Sequence, residues 1–112
     1  MIRLHDLPTP AALVDLPRMQ ANIARMQQRM NALGVKFRPH VKTSKSLPVV
    51  QAQMAAGAQG ITVSTLKEAE QFFDAGIRDI LYAVCVVAPK LPQVLALRRR
   101  GCRSEEHTSE LQ

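Results

Sequence analysis

The segment Arg38-Pro39-His40-Val41-Lys42-Thr43-Ser44-Lys45 sets a lysine where a short extended stretch gives way to a polar turn. A strand holds the backbone rigidly up to its carboxyl end, and the loop beyond leaves room for a ligand, so a lysine there is both fixed and accessible. Lysine is the side chain that forms a Schiff base with a carbonyl compound. Its amine must shed a proton to attack, which a partly buried setting assists. Side chains alternate along a strand, so Arg38, His40 and Lys42 share one face. Arg38 there can meet a carboxylate or balance local charge. His40 can contact a neighbour of the lysine, although a histidine satisfied in the interior is the plainer reading. Lys45 falls beyond the strand end and is the less suitable amine.

Periodicity predicts the elements that hold this segment. Leu16, Met19, Ile23, Met26, Met30 and Leu33 recur at spacings of three and four, one face of a helix. Asp15 is its N-cap, Pro17 fits its first turn and Gly34 ends it. The stripe is expected to fill core. Val35 to Lys42 reads as a strand, made short or irregular by Pro39. Ser46 caps a second helix that presents Leu47, Val50 and Met54 and stops at Gly57. Gly60 to Ser64 is β-branched and reads as a strand. Thr65 and Glu68 form a capping box for a helix that turns Ala69, Phe72 and Phe73 inward and closes at Gly76. Asp79 to Val87 is nearly continuous in apolar residues, the pattern of a strand buried on both faces of a parallel sheet. Tyr82 and Cys85 are expected in the core there. Pro89 and Pro92 open a last helix carrying Leu91, Val94, Leu95 and Leu97 to Gly101.

Strands alternating with helices over short connections mean parallel βα units, an α/β fold. Three units leave an open edge, and an eight-unit barrel needs roughly 250 residues. A small doubly wound domain is the alternative, but no G-x-G-x-x-G follows any strand.

The chain of 112 residues, 46% hydrophobic and 21% charged, has the composition of a globular protein. No apolar run approaches membrane-spanning length, and the N-terminus lacks the apolar core of a signal peptide, so a cytoplasmic location is expected. Cys85 and Cys102 have neither metal-ligand spacing nor a disulfide framework around them. Residues 103–112 break from the patterning before them and match, in order, one reading frame of a common short-read sequencing adapter. The natural sequence is therefore expected to occupy 1–102, with 103–112 a non-native tail. The full chain carries 15 basic and 9 acidic residues, a net +6. Without the tail's one arginine and three glutamates the balance is 14 against 6, or +8. The positive charges are scattered except at Arg98-Arg99-Arg100, where they complement a helix C-terminus. With one tyrosine and no tryptophan, nothing is interleaved to stack bases, which argues against nucleic acid.

Taken in order, Thr9-Pro10-Ala11-Ala12-Leu13-Val14-Asp15, Asn22, Arg38-Pro39-His40-Val41-Lys42-Thr43, Ser64-Thr65-Leu66-Lys67-Glu68-Ala69-Glu70, Ala75-Gly76-Ile77 and Asp79-Ile80-Leu81 resemble the alanine racemase N-terminal barrel superfamily of fold type III pyridoxal phosphate enzymes. Within it the resemblance is closest to the D-threonine aldolase and D-serine dehydratase group. It runs from about Leu7 to Cys102, and Arg38 to Thr43 is its most specific part.

The resemblance implies the first part of a (β/α)8 barrel, incomplete in this chain. It implies pyridoxal 5'-phosphate attached to the lysine that closes the first barrel strand, which falls on Lys42. His40, Arg38, Ser64 and Thr65 are the implied cofactor neighbours, although a strand end and a helix N-cap account for Ser64 and Thr65 more plainly. Where members of the group commonly carry histidine this chain has Ser44. The phosphate-binding loops, a second mainly β domain and a divalent metal bound near the C-terminus all belong to later sequence, so the metal ligands are absent here. The implied parent is a pyridoxal phosphate-dependent lyase acting on a small D-amino acid, with retro-aldol cleavage of D-3-hydroxy amino acids ahead of D-serine-type dehydration. The resemblance implies a homodimer for the whole protein, and this portion alone is expected to be inactive. A non-catalytic cofactor carrier and a basic interaction module are the competing classes.

Overall fold

The computed structural model of the protein describes residues 1–106. Of the predicted tail, residues 107–112 lie outside the described residues. A 3-10 turn (Leu4–Asp6) precedes helix α1 (Leu16–Ala32). Then follow α2 (Leu47–Ala55), β1 (Ile61–Val63), α3 (Leu66–Asp74), β2 (Asp79–Tyr82), a second 3-10 turn (Ala88–Lys90), α4 (Leu91–Arg99) and β3 (Arg103–Glu106). The strands are parallel in the order β1, β2, β3; the alternation predicts the pairing of β1 with β2, whereas β3 is not predicted and falls in the residues expected to be an unpatterned tail.

Local chemistry explains the helices. The Asp15 carboxylate accepts the Arg18 N–H at 3.0 Å, Pro17 occupies the first turn, and Gly34 leaves the helix at φ 68°. Thr65 and Glu68 make both bonds of the capping box that starts α3. Ser46 stands at the N-cap of α2 without a side-chain cap bond.

The core lies between one face of the sheet and α2, α3 and α4. Val41, Ile61, Val63, Ile80 and Tyr82 supply the sheet side, each at most 2% exposed. Val50, Leu66, Ala69, Phe72, Phe73, Val94 and Leu97 supply the helix side, with Ile77 and Cys102 at the connections. Because side chains alternate, His40, Thr62 and Leu81, which align across the strands, look out from the opposite face.

Several expectations are corrected. The predicted strand Val35–Lys42 shrinks to an isolated parallel bridge between His40 and Thr62. Thr62 N–H donates to Pro39 O and Val41 N–H to Thr62 O, but the preceding rung needs an N–H on residue 39, which proline lacks. Gln59 N–H bonds to Phe37 O instead, one residue out of step. The predicted strand Asp79–Val87 stops at Tyr82. The Ala83 N–H takes Val63 O, the carbonyl of the last β1 residue, at 3.0 Å. Residues 84–87 then have no β1 backbone beside them, and Cys85 is exposed rather than core. Leu91 and Leu95 are also exposed, leaving Val94 and Leu97 as the buried face of α4. Helix α1 packs chiefly on α2, outside the sheet-helix layers. Its stripe is consequently little covered among the described residues. Leu16, Met26 and Leu33 are exposed, and Gln27 is the buried residue, seated against Gly57 and bonded to Asn31 at 2.9 Å.

Candidate functional site

The lysine-bearing turn is assembled from the His40 bridge outward. Val41 points into the core, so Lys42 emerges on the same side of the sheet as His40. Lys45 N–H then donates to Val41 O at 2.9 Å, closing a turn over Lys42, Thr43 and Ser44. Lys45 completes it at φ 44°, a left-handed conformation that costs a non-glycine residue about 1–2 kcal/mol. The Lys42 N–H donates to His40 Nδ1 at 3.3 Å, so the neutral imidazole carries its proton on Nε2. The Lys42 side chain is exposed, and its amine has no ion-pair partner among the described residues. The partly buried surroundings expected for it are not formed by these residues.

Facing the turn is the carboxyl end of β1. Since His40 is opposite Thr62, continuing the register sets Lys42 level with Ser64. Ser64 and Thr65 donate their N–H groups to Glu68 Oε2 at 3.0 and 2.9 Å, and the Thr65 hydroxyl accepts the Glu68 N–H at 3.1 Å. Glu68 Oε1 lies 3.6 Å from Lys45 Nζ, within ion-pair range but without a hydrogen bond. The Glu68 residue is 5% exposed. Burial works to raise its pKa. The two backbone N–H donors, the Thr65 side chain and the Lys45 charge together outweigh that and hold it below the ordinary carboxylate value.

Arg38 is at the other end of the sheet. Its Nε and Nη2 donate to Asp79 Oδ1 and Oδ2 at 2.7 and 3.0 Å, a bidentate pair with both side chains about four-fifths buried. Asp79 opens β2, so the pair lies at the amino edge. It lines an open cleft of about 530 Å³ together with Lys36, Gln59, Arg98 and Arg103. Four residues, roughly 13 Å of extended chain, separate Arg38 from Lys42. The structure thus gathers His40, Lys42, Ser64 and Thr65 at the carboxyl end and leaves Arg38 away from them. A separate depression of about 430 Å³ lies between the turn and the start of α1. Asp15, Asn22, His40, Thr43 and Ser44 contribute to its lining and Lys42 does not.

The residue that sequence reasoning passed over is Glu68, seen there only as half of a capping box. Its contact with Lys45 spans 23 positions and follows from the left-handed turn, for which the sequence carries no glycine signal. No group of three or more His, Cys, Asp or Glu side chains among the described residues could hold a metal ion. No helix among them is long and apolar enough to cross a membrane.

Comparison with known proteins matches residues 14–103 to the family described as alanine racemase, N-terminal domain. The D-threo-3-hydroxyaspartate dehydratase of Delftia sp. (strain HT23) is 74% identical over 99 residues, covering 88% of this chain and 26% of that protein. The D-threonine aldolase of Arthrobacter sp is 38% identical over 86 residues, covering 77% of this chain and 23% of that protein. The solved structure of the Delftia sp. HT23 dehydratase superposes with a TM-score of 0.89 at 69% identity, over 92% of this chain and 27% of that one. The chain spans about a quarter of the length of the curated relatives it matches.

Proposed function

The chain belongs to the alanine racemase N-terminal domain family, and we propose that it is the cofactor-anchoring opening of a pyridoxal phosphate-dependent lyase acting on D-3-hydroxy amino acids. Its α/β architecture is the start of a (β/α)8 barrel. The observation that carries the reading is the 74% identity to a D-threo-3-hydroxyaspartate dehydratase over 88% of the chain. That identity weighs toward dehydration, whereas the family resemblance of the sequence puts retro-aldol cleavage first and no residue present decides between the two. The 38% identity to a D-threonine aldolase keeps the second reaction in view.

The residues present fit the cofactor where the chain supplies them. Lys42 offers a primary amine with no ion-pair partner among the described residues, on a turn fixed by the Lys45–Val41 hydrogen bond. It would hold pyridoxal phosphate covalently. When bound, that group supplies an electron sink for the bonds at a substrate α-carbon. His40 has Nδ1 engaged by the Lys42 N–H and lines the depression between the turn and the start of α1. Ser64 stands level with Lys42 and presents its hydroxyl at the same end of the sheet, while the Thr65 hydroxyl is committed to the α3 cap. Arg38 serves the opposite edge through Asp79. The described residues offer no metal-binding set.

The test is product analysis on a full-length protein carrying this segment, supplied with cofactor and D-threo-3-hydroxyaspartate. Dehydration expels water to leave an enamine that tautomerises to the imine, and hydrolysis of the imine takes water back and releases ammonia, leaving oxaloacetate; retro-aldol cleavage leaves glycine and glyoxylate. Oxaloacetate and ammonia in equal amounts, lost in Lys42→Ala, support the proposal. Glycine and glyoxylate would replace the dehydratase reading with the aldolase one, and cofactor binding without turnover would replace both with the carrier.

A further inference from the structure

We propose that Glu68 is a positioning residue for Lys42: it holds Lys45 across from the end of β1, closing the turn that carries Lys42 and keeping the second lysine out of the site. The inference rests on the reading of Lys42 as the cofactor anchor.

Three observations converge. The first is that the Glu68 carboxylate divides its two oxygens. Oε2 takes the Ser64 and Thr65 N–H groups, which satisfies the capping role by itself. Oε1 is buried, makes no hydrogen bond, and faces the Lys45 ammonium at 3.6 Å. The second is that Lys45 is the last residue of the Lys42 turn and sits at φ 44°, a conformation that needs an external contact to persist in a residue other than glycine. Its N–H on Val41 O and its Nζ beside Glu68 are the two ends of that hold. The third is the contrast between the amines. Lys45 has a carboxylate within ion-pair distance, whereas Lys42, three residues earlier, has none among the described residues. The Lys45 amine is thereby drawn toward the β1–α3 connection and away from Lys42.

Glu68 thus joins two elements that the chain brings separately to the same end of the sheet: the β1–α3 connection with Ser64, and the turn with Lys42. Capping alone requires neither Oε1 nor Lys45.

The decisive comparison uses the full-length protein and the variants Glu68→Gln, Lys45→Met and the double variant. Glutamine can still accept the capping N–H groups at this position but cannot pair with Lys45. Cofactor dissociation constants come from titrating cofactor-free protein with pyridoxal phosphate, alongside the thermal midpoint of the cofactor-free form. Each single variant should weaken cofactor binding roughly two- to fivefold, the scale of a partly exposed ion pair. The double variant should be no weaker than the poorer single one, because both remove the same contact. Unchanged cofactor affinity with a lowered thermal midpoint would reduce Glu68 to a helix cap and overturn the proposal, as would additive losses. Lys42→Ala in the same titration separates this from the parent reading: an anchor elsewhere would leave its absorption band intact whatever Glu68 does.

Discussion

Breaking the Arg38–Asp79 pair should cost stability and leave cofactor binding intact. Asp79→Ala removes two charge-assisted hydrogen bonds, each worth about 1.5–3 kcal/mol. The bonds are 2.7 and 3.0 Å long, and the side chains are only 22% and 21% exposed. Losing both bonds would cost at most their sum, about 3–6 kcal/mol. The cleft beside the pair is open and lets the side chain reach water, which brings the expected loss to about 2 kcal/mol. Asp79→Asn keeps one acceptor and should lose about half of that. In urea unfolding of the full-length protein, a slope near 2 kcal/mol/M turns 2 kcal/mol into a midpoint shift of about 1 M. Arg38→Met should produce a similar shift, and the two changes together should show a coupling of about 1–2 kcal/mol. Cofactor affinity should stay within twofold in all three. An unmoved urea midpoint with lost cofactor binding in Arg38→Met would refute the assignment of Arg38 to the amino edge and return it to the lysine site.

Gly60→Ala tests the same edge from the other side. A Cβ there would stand 2.3 Å from Asp79 O and 2.8 Å from its Cβ, so β1 and β2 must part, at about 1–3 kcal/mol by chemical denaturation. Ile61, fully buried on the core face of β1, should lose about 2–5 kcal/mol on replacement by alanine but only about 0.5–1.5 on replacement by valine. Acid should weaken the end of the sheet that carries Lys42. The folded-state pKa of Glu68 is depressed, so its stabilisation is complete above the unfolded value near 4.5 and is lost as pH falls through the lower folded value. Glu68→Gln should flatten the pH dependence of the unfolding midpoint in that window, and an identical acid slope would contradict it.

What was legible in the sequence was local. Asp15 and the Thr65–Glu68 box announce their helices because the capping bonds reach only three residues. The α/β alternation follows from Ile61–Val63 and Ile80–Tyr82 being apolar on the helix-facing side. Lys42 at a strand end, and Ser64 and Thr65 at the next one, follow from chain order in parallel units. Register and distant partners were not legible. The rung lost at Pro39 shortens the first strand to a bridge, and Cys85 is exposed because the sheet pairing ends at Ala83. Alternation is silent about which end of the sheet the Arg38 side chain serves, and that is decided by Asp79, 41 positions later. The α1 stripe has helical period, yet period alone does not supply a surface to cover it. Glu68 carried a visible capping signal that accounted for one of its oxygens and concealed the use of the other.

Locating the covalently held cofactor on the full-length protein is the most direct check on the central proposal. Borohydride treatment of the cofactor-loaded protein fixes the group to its amine, and peptide mass mapping then identifies the residue. The label is expected on Lys42 alone, with none on Lys45 or Lys36. A label on either of those, or no fixed label on a protein that binds pyridoxal phosphate, would contradict the proposal.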